Sequence, residues 1–238
     1  MRILAIALSA SILLAGCGGP DARQQAATQS SLAAIASKTR TVPAPASYQP
    51  LPWKAGQWVL MKHTYPKRNE IAIHRLSLLR DDSGGCVTES DIQDYRHHTV
   101  IQHHWSRRPM HGDEAIDLLV KVVTRNDDDA PVVQDFSSGP MAAVKGMMKG
   151  MVSDIMAQLQ PPGSLDSAPR EEVTVHGGTF AGTARIEATV RLFGETHEFT
   201  SWYHPAIPLN GGVKSLSKDG EVETELLDYA LEGAVSKL

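Results

Sequence analysis

Residues 179–193 read Thr-Phe-Ala-Gly-Thr-Ala-Arg-Ile-Glu-Ala-Thr-Val-Arg-Leu-Phe. On an extended chain Phe180, Ala184, Ile186, Ala188, Val190 and Leu192 fall on one side, while Thr183, Arg185, Glu187, Thr189 and Arg191 fall on the other. A period of two with this contrast describes a strand with one face on a core and one in water, the usual habit of antiparallel sheets. The stretch therefore predicts a mainly β fold.

Working outward, the same pattern repeats. Gly194 turns the chain back through a strand from His197 to Tyr203, and a loop from Pro205 to Gly212 leads into Val213–Ser217. The turn Lys218-Asp219-Gly220 and the run Glu221–Leu231 complete a hairpin, with Val222, Thr224 and Leu226 facing away from Glu221, Glu223 and Glu225. Toward the amino terminus, strands are expected at Gly56–His63, Ile71–Arg80, Cys86–Gln93, His97–Trp105, Ala115–Arg125 and Val132–Phe136. The clusters Asp81-Asp82-Ser83-Gly84-Gly85 and Asn126-Asp127-Asp128-Asp129-Ala130-Pro131 punctuate them as turns.

One segment departs from this period. Pro140 to Gln160 carries Met141, Val144, Met148, Met151, Ile155 and Leu159 at steps of three and four, with Lys145, Lys149 and Asp154 between them, and Pro161-Pro162-Gly163 ends it. That is an amphipathic helix. Gly146 and Gly150 each cost about 1 kcal/mol relative to alanine inside a helix, so it depends on packing against the sheet. The expected architecture is a curved antiparallel sheet or partly open barrel with this helix on or in its concave face. Met148, Met151 and Ile155 are then candidate contacts for an apolar ligand, methionine being suited to exchangeable surfaces.

The chain divides into four stretches. In residues 1–16, Arg2 precedes an uncharged run from Ile3 to Ala15, the layout of a secretory signal peptide and too short for a membrane-spanning helix. Residues 17–52 read as a flexible linker, with Gly18-Gly19-Pro20 opening it and Pro43, Pro45, Pro50 and Pro52 near its end; as a coil it would hold the domain about 30 Å from its start. Gln24–Lys38 within it has the composition of a weak helix. Residues 53–233 suit a single core, and 234–238 form a tail.

Leu14-Ala15-Gly16-Cys17 resembles the lipobox of bacterial lipoproteins. The resemblance implies cleavage before Cys17, diacylglyceryl on its thiol and a further acyl chain on the new amino terminus. Stable anchoring takes about two hydrophobic signals, which such a cysteine supplies. In enteric bacteria an Asp after the lipidated cysteine favours the inner membrane; Gly18 stands here, so the expected location is the outer membrane, facing the periplasm. Acylation of Cys17 would leave Cys86 alone, with no intrachain disulfide.

Further motifs carry a second resemblance. Gly56-Gln57-Trp58-Val59, the methionine-rich helix, Gly178-Thr179-Phe180, Trp202-Tyr203-His204-Pro205, Pro208-Leu209-Asn210-Gly211-Gly212-Val213-Lys214 and Glu225-Leu226-Leu227-Asp228-Tyr229 resemble a set of secreted bacterial β-proteins. Their layout is similar to the lipoprotein-sorting carrier and receptor (LolA/LolB-like), a partly open antiparallel barrel around a helix with an apolar concavity for acyl chains. No functional residue of those carriers falls on a matching motif here.

Chemistry-bearing residues are few. The net charge of −4 leaves no basic surplus for nucleic acid. His97, His98, His103, His104 and His111 lie close in sequence, yet His97 and His103, which share a strand face, stand about 20 Å apart at 3.3 Å per residue. They are read as a polar strand face; a metal site using them with Met147 or Met148 would have to be assembled by folding. Cys86 follows a glycine turn into a strand and reads as a small buried hydrophobe. Asp127, Asp128 and Asp129 lack the oxygen spacing of a calcium loop, Gly84-Gly85 and Gly177-Gly178 lack the context of a phosphate cradle, and there is no G-x-S-x-G elbow. The expectation is a protein with no catalytic residues, cofactor or metal, and either a lipid or other apolar ligand in its sheet or a closed core and an interaction surface.

Overall fold

The computed structural model describes residues 22–109, 115–139, 142, 165–192 and 195–238. Cys17, His111 and, apart from residue 142, the segment 140–160 expected to be helical, with Met148, Met151 and Ile155, lie outside the described residues.

The chain begins with α1 (Ala22–Ala34) and the short β1 (Thr41–Val42). A meander follows: β2 (Trp58–Tyr65), β3 (Glu70–Asp82), β4 (Gly85–Gln93) and β5 (His98–Trp105), then the helical turn α2 (Ala115–Leu118), β6 (Leu119–Asn126) and β7 (Val132–Asp135). The second half supplies β8 (Arg170–Val175), β9 (Gly178–Leu192), β10 (Glu195–Tyr203), β11 (Gly212–Ser217) and β12 (Glu223–Ala230). All join one open sheet in the order β9-β10-β11-β12-β2-β3-β4-β5-β6-β7, with β8 antiparallel and β1 parallel to β9. The two halves meet where β12 pairs with β2, so the last strand of the chain lies beside the first long one.

Among the described side chains, the strand that decides the fold class keeps its expected faces with one exception. Phe180, Ala184 and Ile186 are buried while Arg185, Glu187 and Thr189 are exposed. Thr183, expected in water, is fully buried and donates its hydroxyl to the Phe180 carbonyl at 2.7 Å. The cause is local: Gly182 takes φ +65° and the β8–β9 register shifts between Glu171 and Val173, so the period of two is broken there. A second bulge, between Leu226 and Asp228, lets consecutive Leu226 and Leu227 both be buried.

The sheet curls on itself. The Gly177 N–H donates to the Leu226 carbonyl at 2.8 Å, so the β8–β9 turn lies on β12. One apolar cluster then runs from Val173, Val175 and Phe180 through Val213 and Leu226 to Val59, Met61, Leu76, Leu78 and Trp105. Ile116 and Leu119 enter this cluster from α2 and the first residue of β6, at a spacing of three. That spacing suits a helical turn, which is why the strand expected from Ala115 begins only at Leu119.

Residues 22–52, expected to be a flexible linker with a weak helix over Gln24–Lys38, form α1 and are tied to the sheet at several points. Thr28 of α1 is buried and donates to the Asp94 carbonyl at 2.9 Å, and Ser31 donates to Gln93 at 3.0 Å. Thr179 donates its N–H to the Arg40 carbonyl at 3.0 Å, and a Cβ at Gly178 would stand 2.7 Å from that oxygen, so glycine is what admits the segment. Tyr48 is buried, its hydroxyl receiving the Ala184 N–H at 3.2 Å. Composition predicts a coil because the stretch is small and polar; what holds it is hydrogen bonding to strand edges and turns, to which hydropathy is blind. The tail is docked as well. Glu89, only 1 % exposed, accepts the Lys237 N–H at 3.0 Å and the Ser236 hydroxyl at 3.0 Å.

Candidate functional site

The most unusual chemistry among the described residues lies on the core face where β12, β2, β3 and β4 run side by side. Alternation along β2 sends Val59, Met61 and His63 to one face, and along β3 it sends Ala72, His74, Leu76 and Leu78 to that same face, because Met61 pairs with His74 and His63 with Ala72. Thr224 lies opposite His63 on β12, and Ile92 lies opposite His74 on β4. On the other face Lys62 pairs with Glu225 in a salt bridge.

The two imidazoles stand with ring centroids 5.8 Å apart and planes inclined by 31°. His63 Nδ1 is 2.9 Å from Thr224 Oγ1. His74 is 5 % exposed, and its Nε2 has no hydrogen-bond partner. Burial pushes His63 down to about 4. Burial, reinforced by the neighbouring His63 and opposed by Asp91, pushes His74 down to about 3. Both are therefore neutral at physiological pH and offer a ring lone pair to the core.

The histidines singled out in the sequence are not brought together. His97 Nδ1 lies 3.3 Å from Asp127 and His98 Nε2 lies 2.7 Å from Asp91, ties that pin the β4–β5 and β6–β7 turns. Asp127 also accepts the His98 N–H at 2.9 Å and the Gln24 amide of α1 at 3.1 Å, so it is a structural hub rather than a bare hairpin tip. His103 stacks on Trp105, with centroids 5.7 Å apart, and burial pushes it down to about 4. It thus belongs to the core side and not to a solvated face. Cys86 is fully buried, and burial with the Asp81 carboxylate pushes its thiol up to about 12, a poor nucleophile.

No protein-family model matches this chain, and no curated protein sequence does. Among solved structures it is similar to a Bacteroides fragilis crystal structure described as a putative exported protein with YmcC-like fold, at 12% identity, over 76% of this chain and 98% of that one, with a TM-score of 0.33. A likeness that distant carries neither fold nor function across.

Two further places have site-like geometry. His197, Asp219 and Glu221 present ligand atoms within 4.8 Å of one another at the β10 start and the β11–β12 turn. These carboxylates are exposed, and Glu221 already pairs with Lys67 at 3.3 Å. Between α1 and the β2–β3 turn a cleft of about 130 Å³ is lined by Thr28, Arg68, Glu70, Ile71 and Tyr95, a small space of mixed polarity, below the several hundred Å³ typical of ligand pockets. Sequence reasoning missed His63 and His74. The available signal was the hairpin register around Pro66-Lys67-Arg68-Asn69, which sets the two residues diagonally across one face.

Proposed function

We propose that this chain is a non-catalytic, lipid-anchored envelope protein that holds a lipid or other apolar ligand against the concave face of its sheet, on the periplasmic side of the outer membrane. The observation that carries the reading is the curl itself. Ten antiparallel neighbours from β9 to β7 wrap one continuous apolar cluster without closing, so the cluster is bounded by strands at its sides and not by a sealed barrel. Open curled sheets of this kind offer concave apolar sites at their mouths. The anchor rests on Leu14-Ala15-Gly16-Cys17. The acidic balance leaves the acyl chains, rather than lipid headgroups, as the membrane attachment.

The test is lipid extraction and native mass spectrometry of full-length Cys17→Ser protein, with uptake of a fluorescent fatty acid as a second readout. A co-purifying acyl compound, or saturable probe binding, supports the reading; an empty protein that takes up no probe removes it. In that event the second reading stands, an interaction protein with a closed core. The end strand β7 favours that alternative, because Val132 and Val133 are 61% and 59% exposed on it.

A further inference from the structure

The core face between β2 and β3 buries a polar atom that nothing satisfies. Leaving the His74 Nε2 without a partner carries the desolvation penalty of an unsatisfied buried polar atom, and a leucine at this position would fill the space without that penalty. Its surroundings indicate what would meet the lone pair. The His63 Nδ1 lies 2.9 Å from the Thr224 hydroxyl; in the tautomer whose Nδ1–H donates to that oxygen the contact fixes the ring and leaves the lone pair on Nε2, as a second-shell partner does for a metal-ligating histidine. Two rings bound to one first-row ion at metal–nitrogen distances of about 2.0–2.1 Å have centroids up to roughly 6 Å apart, and these stand at 5.8 Å.

A third donor lies beside them. Met61 pairs directly with His74 across the β2–β3 ladder, two residues before His63, and is buried on the same face. Directly opposed residues share a face with Cβ atoms about 5 Å apart, within reach of an unbranched thioether. Among the described residues, the group of three or more His, Cys, Asp and Glu that converges is the His197 cluster, so no carboxylate or thiolate completes the pair. A set of two neutral imidazoles and one thioether is soft and uncharged, which disfavours Zn(II), Mg(II) and Ca(II) and selects Cu(I).

We infer that His63, His74 and Met61 form a binding site for one Cu(I) ion on the core face of the sheet. Copper binding at this site would require neither the anchor nor a lipid ligand. It is tested by anaerobic titration of full-length Cys17→Ser protein with Cu(I) against a chromogenic Cu(I) chelator, alongside His74→Leu and Met61→Leu in the same background. Copper-edge X-ray absorption then reports the coordination shell. The expected result is one Cu(I) per chain in a shell of two nitrogens and one sulfur. Each substitution should weaken binding at least about tenfold, since even outer-shell losses cost about 10–100-fold. Met61→Leu conserves volume and should leave the melting temperature nearly unchanged, separating ligand loss from misfolding. Equal Cu(I) affinity in wild type and His74→Leu, a sulfur-only shell from methionines elsewhere, or displacement of Cu(I) by equimolar Zn(II) would overturn the assignment.

Discussion

Arg40 and Asp228, 188 positions apart in the chain, meet in a salt bridge, and the Arg40 guanidinium lies 4.4 Å above the Tyr229 ring. Lys38 reaches the same carboxylate at 2.9 Å. Burial by itself would raise the Asp228 carboxyl, but Lys38, the Tyr229 N–H and Arg40 together hold it below the usual carboxylate range. The N-terminal segment is thereby fastened to the β12 strand by Lys38 and Arg40, both residues after which a trypsin-like protease would cut.

Asp228→Ala should therefore speed tryptic cleavage after Lys38 and Arg40 while costing roughly 1–3 kcal/mol of stability. The sign with pH follows: a carboxyl depressed in the folded state contributes above its unfolded value near 4, and that contribution is lost as pH falls below it. Timed proteolysis at pH 7 followed by mass spectrometry checks the first point. An unchanged cleavage rate would mean that this bridge does not hold the segment.

The faces of β9 make a paired comparison. Ile186→Asp puts a charge on the buried side and should cost several kcal/mol, whereas Glu187→Ala on the exposed side should stay within about 0.5 kcal/mol. Urea unfolding of both variants reads the difference, and equal midpoints would contradict the register.

His63, His74 and His103 have folded values pushed to about 4, 3 and 4, below an unfolded value of 6.5. Groups depressed in this way contribute stability that is full above about pH 6.5 and is lost as pH falls through their folded values, each changing by up to about 1.4 kcal/mol per pH unit. Unfolding free energy should drop steeply between pH 6.5 and 4, and His74→Leu should flatten that slope by about one proton. A wild type equally stable at pH 7 and pH 5 would show that these rings do not stay neutral.

For the anchor, Cys17→Ser should release the protein from membranes or block its processing. Fractionation after a high-salt wash decides it. Because helix α1 begins at Ala22, the packed domain starts no more than roughly 18 Å of extended chain from Cys17, closer than a coil running to residue 52 would set it.

Much of the fold is legible residue by residue. Alternation in Thr179–Phe193 and in the β12 residues assigns strands and most of their faces, because the side chain's direction depends only on its own backbone. It fails at Thr183 and at Leu226-Leu227, where bulges insert an extra residue and the count of two no longer holds. The candidate ligand residues Met148, Met151 and Ile155 lie outside the described residues, so the apolar site rests on the shape of the sheet.

Sequence by itself determined that this is an antiparallel β protein with an uncharged run from Ile3 to Ala15 near its amino terminus and an acidic net charge. Those are local or compositional properties. The tertiary structure alone decided that residues 22–52 lie on the sheet, that Glu89 holds the tail, and that Met61, His63 and His74 share one buried face. Each depends on which strand lies beside which and in what register, and that is settled by long-range hydrogen bonding and by burial of the whole cluster. A polar segment such as Gln24–Lys38 carries no hydropathy signal of its own; it is ordered because strand edges and turn carbonyls elsewhere in the chain need partners.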